Sequence, residues 1–164
     1  MQNTGVSLAT LSDHGPPRVP RGALLDSVKA VTATQLGPMV SSIDQEGVYP
    51  ESVIRSLGEA GAFASHLHGV ATGHPDLESA IRAMSKVSEY CLSTSFCTWC
   101  QDALGWYIYT SENASVQETL GAAVAGGRQL GGTGLSDPMK SGFGIEEMRL
   151  GARRVPGGGG GKGG

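Results

Sequence analysis

Apolar residues recur at helical spacing through most of this chain. Leu24, Val28, Val31 and then Leu36 mark a first helix from about Gly22 to Val40. Gly37-Pro38 should interrupt or end it, because proline has no N–H to donate and crowds the preceding turn. Gly47–Tyr49 reads as a link. Pro50 suits the first turn of a second helix, where the missing donor goes unused. Val53, Ile54, Leu57 and Ala60 make its inward stripe, and Gly61 its stop. A short apolar plug, Ala62-Phe63-Ala64, precedes a loop, Ser65–His74, that carries His66, His68 and His74. The clearest amphipathic pattern starts at Pro75 or Asp76, with Leu77, Ala80, Ile81, Met84, Val87 and Cys91 stepping by three and four. Asp76 and Glu78 fall in its first turn, where the helix dipole favours them.

A fourth helix follows, with Ser93 as its expected cap. Phe96, Cys97, Cys100, Ala103, Leu104, Tyr107 and Ile108 share one face, with Trp99 and Trp106 to the side. It is apolar nearly all round, which predicts a central helix covered by its neighbours. Ser115-Val116-Gln117-Glu118 reads as a capping box for a fifth helix. Val116, Leu120, Ala123 and Val124 supply its apolar positions, and Gly126-Gly127 ends it. Beyond lies Arg128–Lys140, where Gly131, Gly132 and Gly134 bracket Thr133. Ser136 and Asp137 can close this turn with their side chains, and Pro138 is expected to stop any helix. Met148, Leu150 and Ala152 alternate with Arg149, Gly151 and Arg153, the period of a strand. The fold class is therefore mainly α: a helical bundle followed by the start of a sheet. The boundaries are a loose tail over 1–21, a helical domain over 22–127, a β-domain start over 128–155, and a flexible glycine-rich tail over 156–164.

Composition changes this picture little. At 164 residues one domain is expected, and 39% apolar residues suffice for a core. Of the 26 glycines, seven lie in Gly157–Gly164, a stretch that cannot pack. A net charge of −3 gives no broad attraction to nucleic acid or to an anionic membrane. No run approaches the roughly 20 apolar residues of a membrane span. Nothing in Met1–Gly15 has the basic start and apolar run of an export signal. Three cysteines without such a signal are expected to be reduced thiols in a cytoplasmic protein.

The candidate chemistry is sparse. Cys97-Thr98-Trp99-Cys100 has the C-x-x-C spacing. Well inside a predicted helix, however, it lacks the exposed N-terminal placement that makes a redox thiol reactive, and core thiols are the expectation. A zinc site would need four converging ligands, drawn here from these cysteines with His66 and His68. The loop histidines offer a general base, but none has a visible orienting partner, so a solvated loop is expected. No nucleophile elbow, phosphate-binding loop or pair of catalytic carboxylates can be assembled. Arg153-Arg154 has the chemistry to meet a phosphate, although adjacent arginines are more often surface charge.

The seam at Thr133 carries a more specific signal. Arg128–Lys140, taken with Pro75-Asp76-Leu77, Ser93-Thr94-Ser95-Phe96 and Gly105-Trp106 in that order, resembles the N-terminal helical domain of acyl-CoA dehydrogenase-like flavoproteins over about residues 20–155. Many members place an acidic residue and a proline after the threonine, where this chain has Gly134-Leu135. That departure leaves subfamily and substrate open. The resemblance implies a helical bundle leading into an incomplete β-domain, FAD as cofactor, an acyl-CoA thioester as substrate, and a homo-oligomer in the full-length family. By position it implies that Leu130 and Gly132 line the flavin ring edge and that Thr133 hydrogen-bonds it. Ser136 would sit near the thioester entrance, and Phe96, Trp99 and Cys100 would wall the acyl pocket. The implied reaction, a step of fatty-acid metabolism, removes a proton and a hydride from the α and β carbons of the thioester. The family's catalytic carboxylate belongs to a C-terminal helical domain outside these 164 residues, so no catalytic residue is assigned. A flavin-dependent monooxygenase of the same fold and a non-catalytic helical interaction module are the alternatives.

Overall fold

A computed structural model of the chain describes residues 19–67, 69–70, 73–151 and 153. These fall into two compact units that divide between Gly132 and Thr133. The first holds six α-helices: α1 (Arg21–Val31), α2 (Val40–Glu46), α3 (Glu51–Glu59), α4 (Leu77–Ser88), α5 (Leu92–Thr110) and α6 (Ala114–Ala125). The second holds α7 (Ser136–Gly142).

Within the first unit α1 packs on α3 and α4, α4 packs on α5, and α5 on α6. The helix predicted from Gly22 to Val40 does not run straight. At Thr32–Leu36 it widens into a π-turn, then tightens into a 3₁₀ turn over Gly37–Met39, before α2 resumes and reaches Glu46. Pro38 is the cause: without an N–H it cannot continue the regular ladder. On α2, Ile43 adds a further buried side chain. α3 follows its sequence pattern closely, with Pro50 just before it and Val53, Ile54 and Leu57 fully buried. These residues join Leu24, Val28, Leu36, Phe63, Ala83 and Val87 in the main core. Full burial of such a side chain is worth about 1.5–3 kcal/mol. α1 and α4 are also tied by charge. Arg21 reaches Asp76 at 2.9 Å and Glu78 at 2.7 Å, and its Nε donates to Ser79 Oγ.

Several expectations need correction. Cys91 rather than Ser93 caps α5, its Sγ accepting the Thr94 N–H at 3.4 Å. Asn113 caps α6 through its Oδ1, so Ser115–Glu118 is not a capping box. The plug extends into a run of turns, Gly61–Leu67, that is buried throughout. His66 is therefore interior, not part of a solvated loop. Among the described residues no strand forms at Met148–Gly151; Ala152 lies outside them. A strand exists only as a ladder with a neighbour. Here the N–H groups of Arg149 and Leu150 donate instead to Asp137 Oδ2, at 2.9 and 2.8 Å. Pro138 does not stop a helix but sits in the first turn of α7, where its missing N–H has no partner to lose. Of the tail expected over 1–21, residues 1–18 lie outside the described residues, as do all of the tail expected over 156–164 and His68.

The largest correction concerns α5. Its buried face is Thr94, Ser95, Thr98, Gln101, Asp102, Gly105 and Ile108. Leu92, Phe96, Trp99 and Tyr107 are exposed instead, so the helix turns a polar face inward. Thr98 Oγ1 donates to Thr94 O and Ser95 Oγ to Met84 O, which makes that burial tolerable.

Candidate functional site

The chain leaves α6 under tight restraint. Gly127 takes a φ of +71° and, with Gly126, turns the helix end, the amides of Arg128 and Gln129 both donating to Ala123 O. The turn lies against α3. A Cβ on Gly58 would stand 2.5 Å from Gly127 Cα, so both glycines are needed for this approach. Arg55 then reaches across from α3. Its Nη1 donates to Gly127 O at 3.1 Å and Arg128 O at 2.7 Å, while Nε and Nη2 bind Glu51. From α5, the buried amide of Gln101 donates through Nε2 to Val124 O (3.0 Å) and Gln129 O (2.9 Å). Its Oε1 accepts the Gly131 N–H at 3.0 Å.

Two predicted ring-edge residues lie in this stapled segment. Leu130 is half-buried and packs on the main core. Gly132 is exposed, and the place of a Cβ there lies 3.7 Å from Cys100 Cβ. The N–H groups of Leu130 and Gly132 enter none of the hydrogen bonds formed among the described residues. Thr133 and Ser136 belong to the second unit. Thr133 is half-buried and its Oγ1 accepts the Leu135 N–H at 3.1 Å. Ser136 opens α7 and is exposed.

The three residues expected to wall an acyl pocket share the outer side of α5. The Phe96 and Trp99 rings stack at 5.5 Å, with 62% and 38% of their surface exposed. Cys100 is half-buried beside them. Burial pushes the thiols of Cys97 and Cys100 above their ordinary range, helped by the neighbouring sulfur, the opposite of what a redox pair needs. Among the described residues no group of three His, Cys, Asp or Glu side chains is arranged to hold a metal.

One constellation escaped the sequence reading. His66 Nδ1 and Asp102 Oδ1 approach to 3.5 Å inside the bundle, and neither atom has a hydrogen-bond partner among the described residues. Burial drives the His66 pKa down to about 4, against a weaker opposing effect of its hydrogen bond to the main chain of Asp102. Burial also raises Asp102 well above the usual carboxylate range. Burial thus disfavours the charged form of both groups. A histidine beside an alanine-rich plug and an aspartate on an otherwise apolar helix give no sequence signal that they face each other.

Residues 21–128 match the family model for the acyl-CoA dehydrogenase N-terminal domain. The chain belongs to this family. No match was found among curated proteins, and none among solved structures. The matched part of this acyl-CoA dehydrogenase domain runs from the start of α1 to the turn after α6. It ends where Arg55 and Gln101 take hold of the main chain. Among the described residues no helix of the domain is long and apolar enough to cross a membrane.

Proposed function

We propose that this domain is the N-terminal part of an FAD-dependent acyl-CoA dehydrogenase-like oxidoreductase acting on an acyl-CoA thioester. One observation carries the reading: the matched bundle ends in a segment held in place by two side chains, with the Leu130 and Gly132 N–H groups in none of the hydrogen bonds among the described residues. In the first unit Leu130 and Gly132 would line the flavin edge; in the second, taken by itself, Thr133 would hydrogen-bond a flavin and Ser136 would meet a thioester. When bound, FAD supplies the hydride acceptor. This chain's own residues supply donors, acceptors and apolar cover that keeps water from the reacting carbons. Phe96, Trp99 and Cys100 would form that cover along the acyl chain. Taken by themselves, the 164 residues neither retain FAD through purification nor turn over substrate, and their contacts give weak, saturable flavin binding. The test is a titration of FAD by the purified chain, followed by flavin fluorescence. Saturable quenching, weakened by Gly132→Val, is expected; no quenching sinks the flavin reading. A yellow purified chain that bleaches with acyl-CoA would overturn the claim that these residues are insufficient.

A second reading has its own support. Leu92, Phe96 and Trp99 on α5 are exposed apolar side chains. Such side chains attract partner surfaces where they form a patch. A non-catalytic interaction module predicts concentration-dependent association by sedimentation, with no flavin response.

A further inference from the structure

Gln101 is 1% exposed, and every polar atom of its side chain is turned onto main chain. Its three partners lie 23, 28 and 30 residues away and belong to the end of α6 and the segment beyond. A leucine would fill similar space, so packing alone does not require an amide here. It would leave the buried Val124 carbonyl without its partner, at a cost of about 1–3 kcal/mol, and would release the Gln129 carbonyl and the Gly131 N–H, both on exposed residues, from Gln101. A Cβ at position 131 would stand 2.6 Å from Leu104 Cδ2, so a larger residue there would require the Leu104 side chain to move. A shift of the segment by one residue in either direction would break the bond from Gly131 N–H to Gln101.

The geometry points to Gln101 as the positioning residue of the flavin-edge segment. Its amide sets the register of residues 129–131 and so keeps the Leu130 and Gly132 N–H groups in place for a cofactor. It touches no cofactor itself. This inference rests on the flavin reading of the same segment.

The test compares Gln101→Leu and Gln101→Glu with Gln117→Leu. Gln117 also joins α5 to α6, donating to Tyr109 O at 3.3 Å and Ser111 O at 2.6 Å, but at the other end of the helix pair. Each variant is titrated with FAD by fluorescence quenching, and Gly131 amide exchange is followed by NMR. Gln101→Leu should weaken FAD binding about ten-fold or more, equivalent to ~1.4 kcal/mol, and speed Gly131 exchange. Gln117→Leu should leave both near wild type despite a lower Tm. Gln101→Glu keeps an acceptor for the Gly131 N–H but loses both donations, so it should fall between; it carries the comparison if Gln101→Leu does not fold. A folded Gln101 variant that binds FAD like wild type overturns the inference, as does a Gln117→Leu that weakens binding equally. A wild-type chain that quenches no flavin fluorescence is a different failure: it removes the flavin reading, and Gln101 is then a structural staple only.

Discussion

α3 and α5 lie in the same bundle and are built on opposite terms. α3 buries Val53, Ile54 and Leu57 and turns Glu51, Ser52 and Glu59 to solvent. α5 buries threonine, serine, glutamine and aspartate, and exposes leucine, phenylalanine, tryptophan and tyrosine. In α3 the inward side is set by transfer of apolar surface from water. In α5 it is set by hydrogen bonds made to α4, to α6 and to the segment after α6. Apolar stripes identify the inward side only when the opposite side is polar enough to prefer water. α5 has apolar candidates all round, so spacing could not choose between its sides.

The comparison can be broken most directly at Leu57. Leu57→Ala should cost about 3 kcal/mol by chemical denaturation, from lost transfer free energy and the cavity left behind. A cost below 1 kcal/mol would mean that α3 is not the apolar anchor described.

The next largest effect is pH dependence from the interior of α5. His66 ionises near 6.5 when unfolded and at about 4 when folded. Its contribution is therefore fully present above pH 6.5 and is lost as pH falls through 4, by about 3 kcal/mol at most. Asp102 works the other way. Its folded pKa is raised, so its contribution is present below the unfolded value and lost as pH rises through the folded one. Thermal melts between pH 4 and 8 should show His66→Gln flattening the acid-side loss. Asp102→Asn should be more stable than wild type at neutral pH, with the gap closing toward pH 4. A gap independent of pH would contradict an Asp102 pKa raised by burial.

A smaller contrast sharpens the same point. Thr98 Oγ1 is bonded to Thr94 O, whereas the buried Thr94 Oγ1 has no partner among the described residues. Thr98→Val should cost about 1 kcal/mol, while Thr94→Val should be neutral or stabilising. Equal losses in the two variants would show that burial, not bonding, decides what this face tolerates. Smallest of all is the outer side. Phe96→Ser should change stability by less than about 0.5 kcal/mol, since the ring is mostly exposed already. A large loss would mean that the ring is covered.

The helical part of the fold was legible because its punctuation is local. Pro38, Pro50, Gly47, Gly61 and Gly126-Gly127 act within a turn or two, and each marks a break or an end near where the chain has one. The caps were legible only as a choice among neighbours. Asn113 and Cys91 won over Ser115 and Ser93 through contacts that a spacing rule does not rank. The strand at Met148–Gly151 failed because alternation describes a face, while a ladder needs a partner. The glycines around Thr133 were visible from the letters. What holds them was not: Arg55 lies 72 residues from Gly127, and Gln101 lies 30 from Gly131. His66 and Asp102 were missed for the same reason of distance along the chain.

Those distances have a consequence for how the protein is made. Arg55 and Gln101 can grip the stretch after α6 only once α3, α5 and α6 have all found one another, so its anchoring depends on the assembly of three helices. During synthesis it emerges from the ribosome after every residue that will hold it. Any damage that parts α3 from α5 should let it go before the rest of the unit melts, which makes it an early reporter of incomplete assembly.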